Sequence, residues 1–227
     1  MDRCLLSRED LAGYIDHTLL KPDATPFDIT KACYSAMLYG FKSVCINPCY
    51  IPLAVKELSG SKVMVCTVIG FPLGASSTEI KALEAGAAIR AGAAEIDMVM
   101  NIGFLKGGLL TQVQNDLVGV VNAAKRENSR AVVKVILETS LLTEHEKVNA
   151  CRLAVEAGAD FVKTSTGFGK GGATIEDIIL MRKSVGPSFG VKAAGGIRDL
   201  QTAVNMIEAG ADRLGTSSGE SIIAETF

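Results

Sequence analysis

The chain has 227 residues, 48% hydrophobic and 21% charged, values of a globular protein with a sizeable core and unlike a disordered chain. Its 23 Lys and Arg are offset by 25 Asp and Glu. The net charge of -2 offers no excess positive field and argues against nucleic acid as the main partner, whereas a small anion needs only a local cationic pocket.

Asp2 and Arg3 precede any long apolar run, which is not the pattern of a secretory leader, and no stretch approaches the roughly 20 apolar residues of a membrane span. A short extra helix is expected at the N-terminus. Strand 15–19 follows, then helix 26–38 and strands 43–46 and 63–69. Helix 78–91 leads to strands 95–100 and 131–137, and helix 143–157 to strand 160–164. Helix 175–184, strand 190–193, helix 200–209 and strand 212–215 complete the alternation, with a final helix opening after Ser218. Ser76 or Ser77, Thr143, Thr174 and Asp199 stand where helix N-caps belong.

The junctions Ala91-Gly92-Ala93, Ala157-Gly158-Ala159 and Ala209-Gly210-Ala211 repeat one pattern, a glycine closing a helix and small residues leading into a strand. Eight strand–helix units predict a (β/α)8 TIM barrel over 1–227 as a single domain. The rival open doubly wound sheet usually carries a Gly-rich turn after strand one, which this sequence lacks. Cys4, Cys33, Cys45, Cys49, Cys66 and Cys151 sit mostly in apolar runs and read as buried thiols of a reducing cytoplasm. With no CxxC pair and only His17 and His145, no metal is expected.

Strand parity places Asp97, Val99 and Asn101 on one face, then Lys134 with Ile136 and Glu138, then Phe161 with Lys163 and Ser165, then Lys192 with Ala194. A lone strand lysine reads as snorkelling or as half of an ion pair, for instance Lys134 with Asp97. Three on consecutive strands call for another reason, because an unpaired ammonium in a packed core is costly. Clustering lysines serves to depress the pKa of one amine. At an effective dielectric near 20, a unit charge about 4 Å away contributes roughly 4 kcal/mol. That is about three pKa units, enough to free part of an amine at neutral pH to attack a carbonyl.

The runs Phe161-Val162-Lys163-Thr164-Ser165-Thr166-Gly167 and Gly190-Val191-Lys192-Ala193-Ala194-Gly195-Gly196-Ile197-Arg198 resemble the deoxyribose-phosphate aldolase family. Ile15-Asp16-His17-Thr18-Leu19-Leu20-Lys21-Pro22, Cys45-Ile46-Asn47-Pro48, Glu95-Ile96-Asp97-Met98-Val99-Met100-Asn101 and Leu214-Gly215-Thr216-Ser217-Ser218 extend the resemblance over nearly the whole chain. It implies a class I, metal-independent, cofactor-free lyase. The reaction joins acetaldehyde to glyceraldehyde 3-phosphate through a lysine Schiff base and runs in reverse in deoxyribose phosphate catabolism. Lys163 matches the Schiff-base lysine, Lys192 the lysine that tunes it, and Asp97, paired with Lys134, the carboxylate that holds a proton-shuttling water.

Thr18, Cys45 and Thr166 match positions lining the sugar pocket, although buried Thr and Cys also serve packing. Gly167, Gly195, Gly196, Gly215, Ser217 and Ser218 are the candidate phosphate site, in the loops after strands six to eight where barrels often bind phosphate. His17 faces away from Asp16 and reads as structural, and Glu138 is left outside the catalytic set. The chain stops at Glu225-Thr226-Phe227 without the tail tyrosine of some family members, so that role is expected to be absent, water-borne or lost with a truncated end. The family often forms dimers, which adds a homodimer or higher homo-oligomer to the expected partners beside the sugar phosphate and acetaldehyde. Two rival readings share the glycine loops: a phosphate-binding barrel isomerase or epimerase, and a non-catalytic sugar-phosphate sensor.

Overall fold

A computed structural model describes residues 7–226, so Cys4 lies outside the described residues. The expected extra helix is α1 (Arg8–Tyr14), capped by Ser7, and it runs directly into β1 (Ile15–Leu19). The strands β2 (Ser43–Ile46), β3 (Met64–Ile69), β4 (Glu95–Val99) and β5 (Val132–Ile136) follow. With β6 (Phe161–Lys163), β7 (Gly190–Ala194) and β8 (Arg213–Thr216) they form a closed barrel in sequence order. Each strand is parallel to its neighbours, and β8 pairs with β1. The fold is a (β/α)8 TIM barrel.

The helices are α2 (Pro26–Tyr39), α3 (Ile51–Glu57), α4 (Thr78–Arg90), α5 (Ile102–Lys106), α6 (Leu110–Glu127) and α7 (Glu144–Glu156). After them come α8 (Ile175–Val185), α9 (Leu200–Glu208) and α10 (Gly219–Ala224). The expected caps are in place: Ser77, Thr143, Thr174 and Asp199 each accept a hydrogen bond from a backbone N–H of the first turn, satisfying donors that the helix itself leaves free. Gly92, Gly158 and Gly210 take positive φ at the three repeated junctions, as the pattern required. The helices α3, α5 and α6 are not among those expected from the sequence, although in α6 Val113, Leu117, Val120, Val121 and Ala124 form a buried stripe.

Apolar side chains on the outer faces of the strands pack against the helices in one large cluster, from Leu11 to Ile223. A smaller apolar cluster, Leu20, Cys45, Cys66 and Val68, with Phe71 against it, is separate from it. Among the described residues no helix is long and apolar enough to cross a membrane.

Lys81 of α4 is fully buried between helix and barrel, where its Nζ donates to the Val99 carbonyl at 3.0 Å and pairs with Asp116 of α6. Removing one partner of such a pair leaves the other charge buried alone. Lys81→Met is expected to destabilise the fold by about 3–5 kcal/mol in urea unfolding, and Lys81→Met with Asp116→Leu to recover much of that loss. Equal stability of single and double variants would show that the pair is not the source.

Candidate active site

Barrel closure sets the register that brings the interior charges together. Asp97 of β4 lies opposite Lys134 of β5, and Lys163 of β6 opposite Lys192 of β7. Asp97 is fully buried and takes all three ammonium groups: Oδ1 accepts from Lys134 at 2.9 Å, and Oδ2 from Lys163 at 2.8 Å and from Lys192 at 2.7 Å. Lys192 also pairs with Asp16 of β1 at 2.6 Å, and Lys134 with Glu95 of β4 at 2.6 Å. Arg213 of β8 joins Asp16 to Glu95 from below, with Phe161 facing its guanidinium at 5.9 Å. Three carboxylates therefore face three cations (Lys134, Lys192 and Arg213) before Lys163 is counted.

Burial alone would raise the Asp97 carboxyl, but Lys134, Lys163 and Lys192 overcome it and hold the group well below the usual carboxylate range. Asp16 is likewise lowered against its burial by Lys192, Lys134 and Arg213. Burial opposes the charge on Lys192, and Asp16 and Asp97 reverse that, raising its pKa; Asp97, Cys66, Glu95 and Asp16 do the same for Lys134. Both lysines are thereby favoured in the cationic form. Gly215 makes room for Lys192, since a Cβ there would lie 3.1 Å from its Cε.

Above this layer a cavity of about 300 Å³ opens at the carboxyl ends of β1, β6, β7 and β8. Of the expected residues, Thr18, Lys163, Thr166, Gly167, Gly195, Gly196, Gly215 and Ser217 line it. Asp97, Lys134 and Lys192 lie beneath and do not reach it. Ser218 lines an adjoining hollow with Ser217 and His17 instead, and His17 packs against Phe41 as its outward parity implied.

Three expectations need correction. Cys45 does not line the cavity. It is fully buried in register with Cys66, and its thiol is lowered chiefly by a hydrogen bond to Cys66, while burial and Cys45 push the Cys66 thiol up. The match of Cys45 to a family pocket position says nothing of its depth in the barrel. Second, Asp97 is not placed to hold a shuttle water, because both its oxygens are taken by lysines. Third, Lys163 and Lys192 are not bare neighbours, since one carboxylate oxygen lies between them and offsets part of the repulsion.

Sequence reading missed Asp16, Glu95 and Arg213, although each shares strand parity with a residue it selected: Thr18, Asp97 and Gly215. Lys21 and Arg198, exposed cations on the cavity wall, were also unassigned. The Sγ atoms of Cys45 and Cys66 and a carboxylate oxygen of Asp97 lie within 4.8 Å of one another. The carboxylate of that group already carries three ammonium partners, which does not fit a metal cation.

A closed parallel barrel whose charged interior opens on a cavity at the strand carboxyl ends is the layout of a barrel enzyme. The DeoC/LacD family of aldolases matches residues 11–225, and the chain belongs to that family. It is 58% identical over 219 residues to a deoxyribose-phosphate aldolase of Carboxydothermus hydrogenoformans, covering 96% of both chains. It is 61% identical over 210 residues to one of Brevibacillus brevis, covering 92% of this chain and 93% of the relative. A tetrameric deoxyribose phosphate aldolase of Aeropyrum pernix superposes with a TM-score of 0.89 at 38% identity, over 96% of this chain and 91% of that one.

The lowered carboxyls fix a pH dependence. A carboxyl depressed on folding contributes stability that is complete above its unfolded pKa, about 4, and is lost as pH falls toward the folded value. The raised lysines contribute stability that is complete below about pH 10 and is lost only above it. Stability is therefore expected to be flat with respect to this cluster between those limits and to fall on acidification. Asp97→Asn should lower stability at pH 7 by roughly 3–5 kcal/mol and flatten the fall below pH 4, as read by denaturant unfolding across pH. An unchanged acid limb would remove Asp97 from that account.

Proposed function

We propose that this chain is a class I deoxyribose-phosphate aldolase with Lys163 as its Schiff-base residue. One observation carries the reading: Lys163 is the member of the buried charge cluster that lines the cavity, and the one cation its three carboxylates do not need for neutrality. Its amine can therefore lose a proton without stranding a buried anion, and a neutral amine has the lone pair that attacks a carbonyl.

In the synthetic direction the Lys163 nitrogen adds to acetaldehyde, and loss of water gives a protonated imine. That imine withdraws electrons from the adjacent methyl carbon, which gives up a proton to solvent water in the cavity to form an enamine. The enamine attacks the aldehyde carbon of glyceraldehyde 3-phosphate, whose oxygen takes a proton back from solvent, and hydrolysis of the resulting imine by water releases 2-deoxyribose 5-phosphate and the free amine; cleavage runs the same steps backward. The electron sink is the imine itself, so the chemistry needs no metal or cofactor. Asp97 holds Lys163 and Lys192 from below and accepts from the imine N–H, while Lys134 fixes Asp97 on its other oxygen.

Thr18 and Thr166 face the sugar. Gly195, Gly196, Gly215 and Ser217 present backbone N–H groups for the phosphate, with Ser218 behind them and Lys21 and Arg198 supplying positive charge. One barrel domain carries the whole site. Free thiols at Cys33, Cys45, Cys66 and Cys151, all buried, support a reducing cytoplasm, although Cys49 is exposed and not buried as expected. Phe27, Tyr34 and Leu38 are exposed on α2, which supports association of copies into a homo-oligomer, as in the Aeropyrum pernix relative.

Acetaldehyde with borohydride is expected to leave a reduced two-carbon adduct on Lys163, found by peptide mass spectrometry, and its absence there would defeat the reading. Lys163→Ala should lose cleavage by roughly 10⁴-fold or more. Lys192→Met should lower kcat/KM by about 10²-fold and move the pH–rate profile upward, because it removes a positive charge beside the reacting amine. A profile that keeps its position would contradict the charge coupling.

A further inference from the structure

Glu138 follows β5 and takes part in none of the steps above. Among the described residues it is the one non-glycine residue with positive φ, at 55°. L residues avoid that region because Cβ crowds the following carbonyl, so the surroundings must hold it there.

Those surroundings are the β6–α8 loop. Glu138 is 3% exposed, and its Oε2 accepts from the backbone N–H of Thr166 at 3.1 Å and from the Thr166 hydroxyl. Thr166 Oγ1 in turn accepts from the N–H of Phe168 at 3.1 Å. The second carboxylate oxygen, Oε1, is buried without a hydrogen-bond partner and faces Gly169, where a Cβ would come within 3.1 Å of it. Further on, a Cβ at Gly171 would lie 2.6 Å from Ser140 Cβ, and Ala173 N–H donates to the Gly195 carbonyl at 3.0 Å. The loop is thus clamped at both ends, by Glu138 where it leaves β6 and by Gly195 where it reaches β7. Thr166, Gly167 and Phe168 at one end and Gly195 at the other are all walls of the cavity.

We propose that Glu138 is a positioning residue that sets the enzyme's preference for a phosphorylated over an unphosphorylated substrate, by holding the 166–169 backbone against the phosphate end of the cavity. The proposal rests on the aldolase reading above. Glu138 does not line the cavity and does not touch substrate. Its carboxylate points into the loop's packing, and its effect passes through Thr166 and Phe168. The glycines at 169 and 171 are there because the loop lies closely on Glu138 and Ser140, a packing reason that stands beside any role in binding phosphate.

The test compares cleavage of 2-deoxyribose 5-phosphate with that of 2-deoxyribose in the wild type, Glu138→Ala, Glu138→Gln and Glu138→Asp. Glu138→Ala is expected to raise KM for the phosphorylated substrate by about tenfold to a hundredfold, as expected for losing a charged acceptor. Its kcat should stay within about threefold of the wild type, a difference close to the scatter of surface substitutions, and its kcat/KM for the unphosphorylated sugar should fall clearly less than for the phosphorylated one, since there only the contact of Thr166 with the sugar is disturbed. Glu138→Gln keeps an oxygen for Thr166 and turns its amide toward Gly169, so it should restore the wild-type ratio. Glu138→Asp, one methylene too short to reach Thr166, should behave like the alanine variant and carries the test if Glu138→Ala does not fold. Equal losses on both substrates, an unchanged ratio, or a glutamine variant that behaves like alanine would overturn the role. Borohydride trapping of acetaldehyde on Lys163 should proceed in every variant. A wild type that is trapped but indifferent to the phosphate would overturn the phosphate site and this role together, whereas a wild type that is not trapped at Lys163 would overturn the aldolase reading itself.

Discussion

One buried carboxylate, Asp97, receives the side chains of three different strands, and the rest of the barrel interior is arranged around it. A charge with no access to water needs partners at hydrogen-bond distance, and here each partner is itself a buried charge with the same need. Lys192 is satisfied by adding Asp16, Lys134 by adding Glu95, and those two acids by adding Arg213. The network ends there because Arg213 spans both acids and its guanidinium lies over the Phe161 ring. Apart from Lys163, no member can be removed without stranding another, so side-chain geometry at the centre of the barrel is over-determined.

That constraint passes outward into the sequence. Gly215 is small because Lys192 crosses its place, and Gly190 because the Phe161 ring does. The register of β4 on β5 and of β6 on β7 is the one that sets Asp97 beside Lys134 and Lys163 beside Lys192. Slipping a strand by one residue would turn its charges into the apolar layer under the helices, so hydrophobic burial and the ion network select the same register.

The barrel was legible in the sequence because its signals are local: β-branched runs, caps one residue ahead of helices, and a glycine repeated at three helix-to-strand junctions. The lysines were legible for a different reason, since a cation inside an apolar strand has a known free-energy cost and so stands out. Asp16, Glu95 and Arg213 did not stand out, because each lies near the start of its strand, where a charge ordinarily meets solvent. Only closure of the barrel shows that these strand starts point at one another. Cys45 marks the limit of the resemblance, which points to the pocket region but does not separate the buried layer from the cavity above it. Glu138 marks the limit of composition, since neither its left-handed backbone nor its contact with a loop some thirty residues on is written in its neighbours.

Charge balance connects the architecture to the chemistry. Were Lys163 needed to neutralise a carboxylate, deprotonating it would expose a buried anion, and the amine would be held as an ammonium ion. With Lys134, Lys192 and Arg213 already matching Asp16, Glu95 and Asp97, the fourth amine can change its charge while the other six groups keep theirs. In the proposed reaction the same position later carries a protonated imine, a cation with a single N–H. Asp97 Oδ2 lies 2.8 Å from the nitrogen that would bear it. The site can thus hold a neutral nucleophile at one step and a positive intermediate at the next without moving an ion. A cluster with one cation beyond neutrality, rather than a fully matched one, permits both.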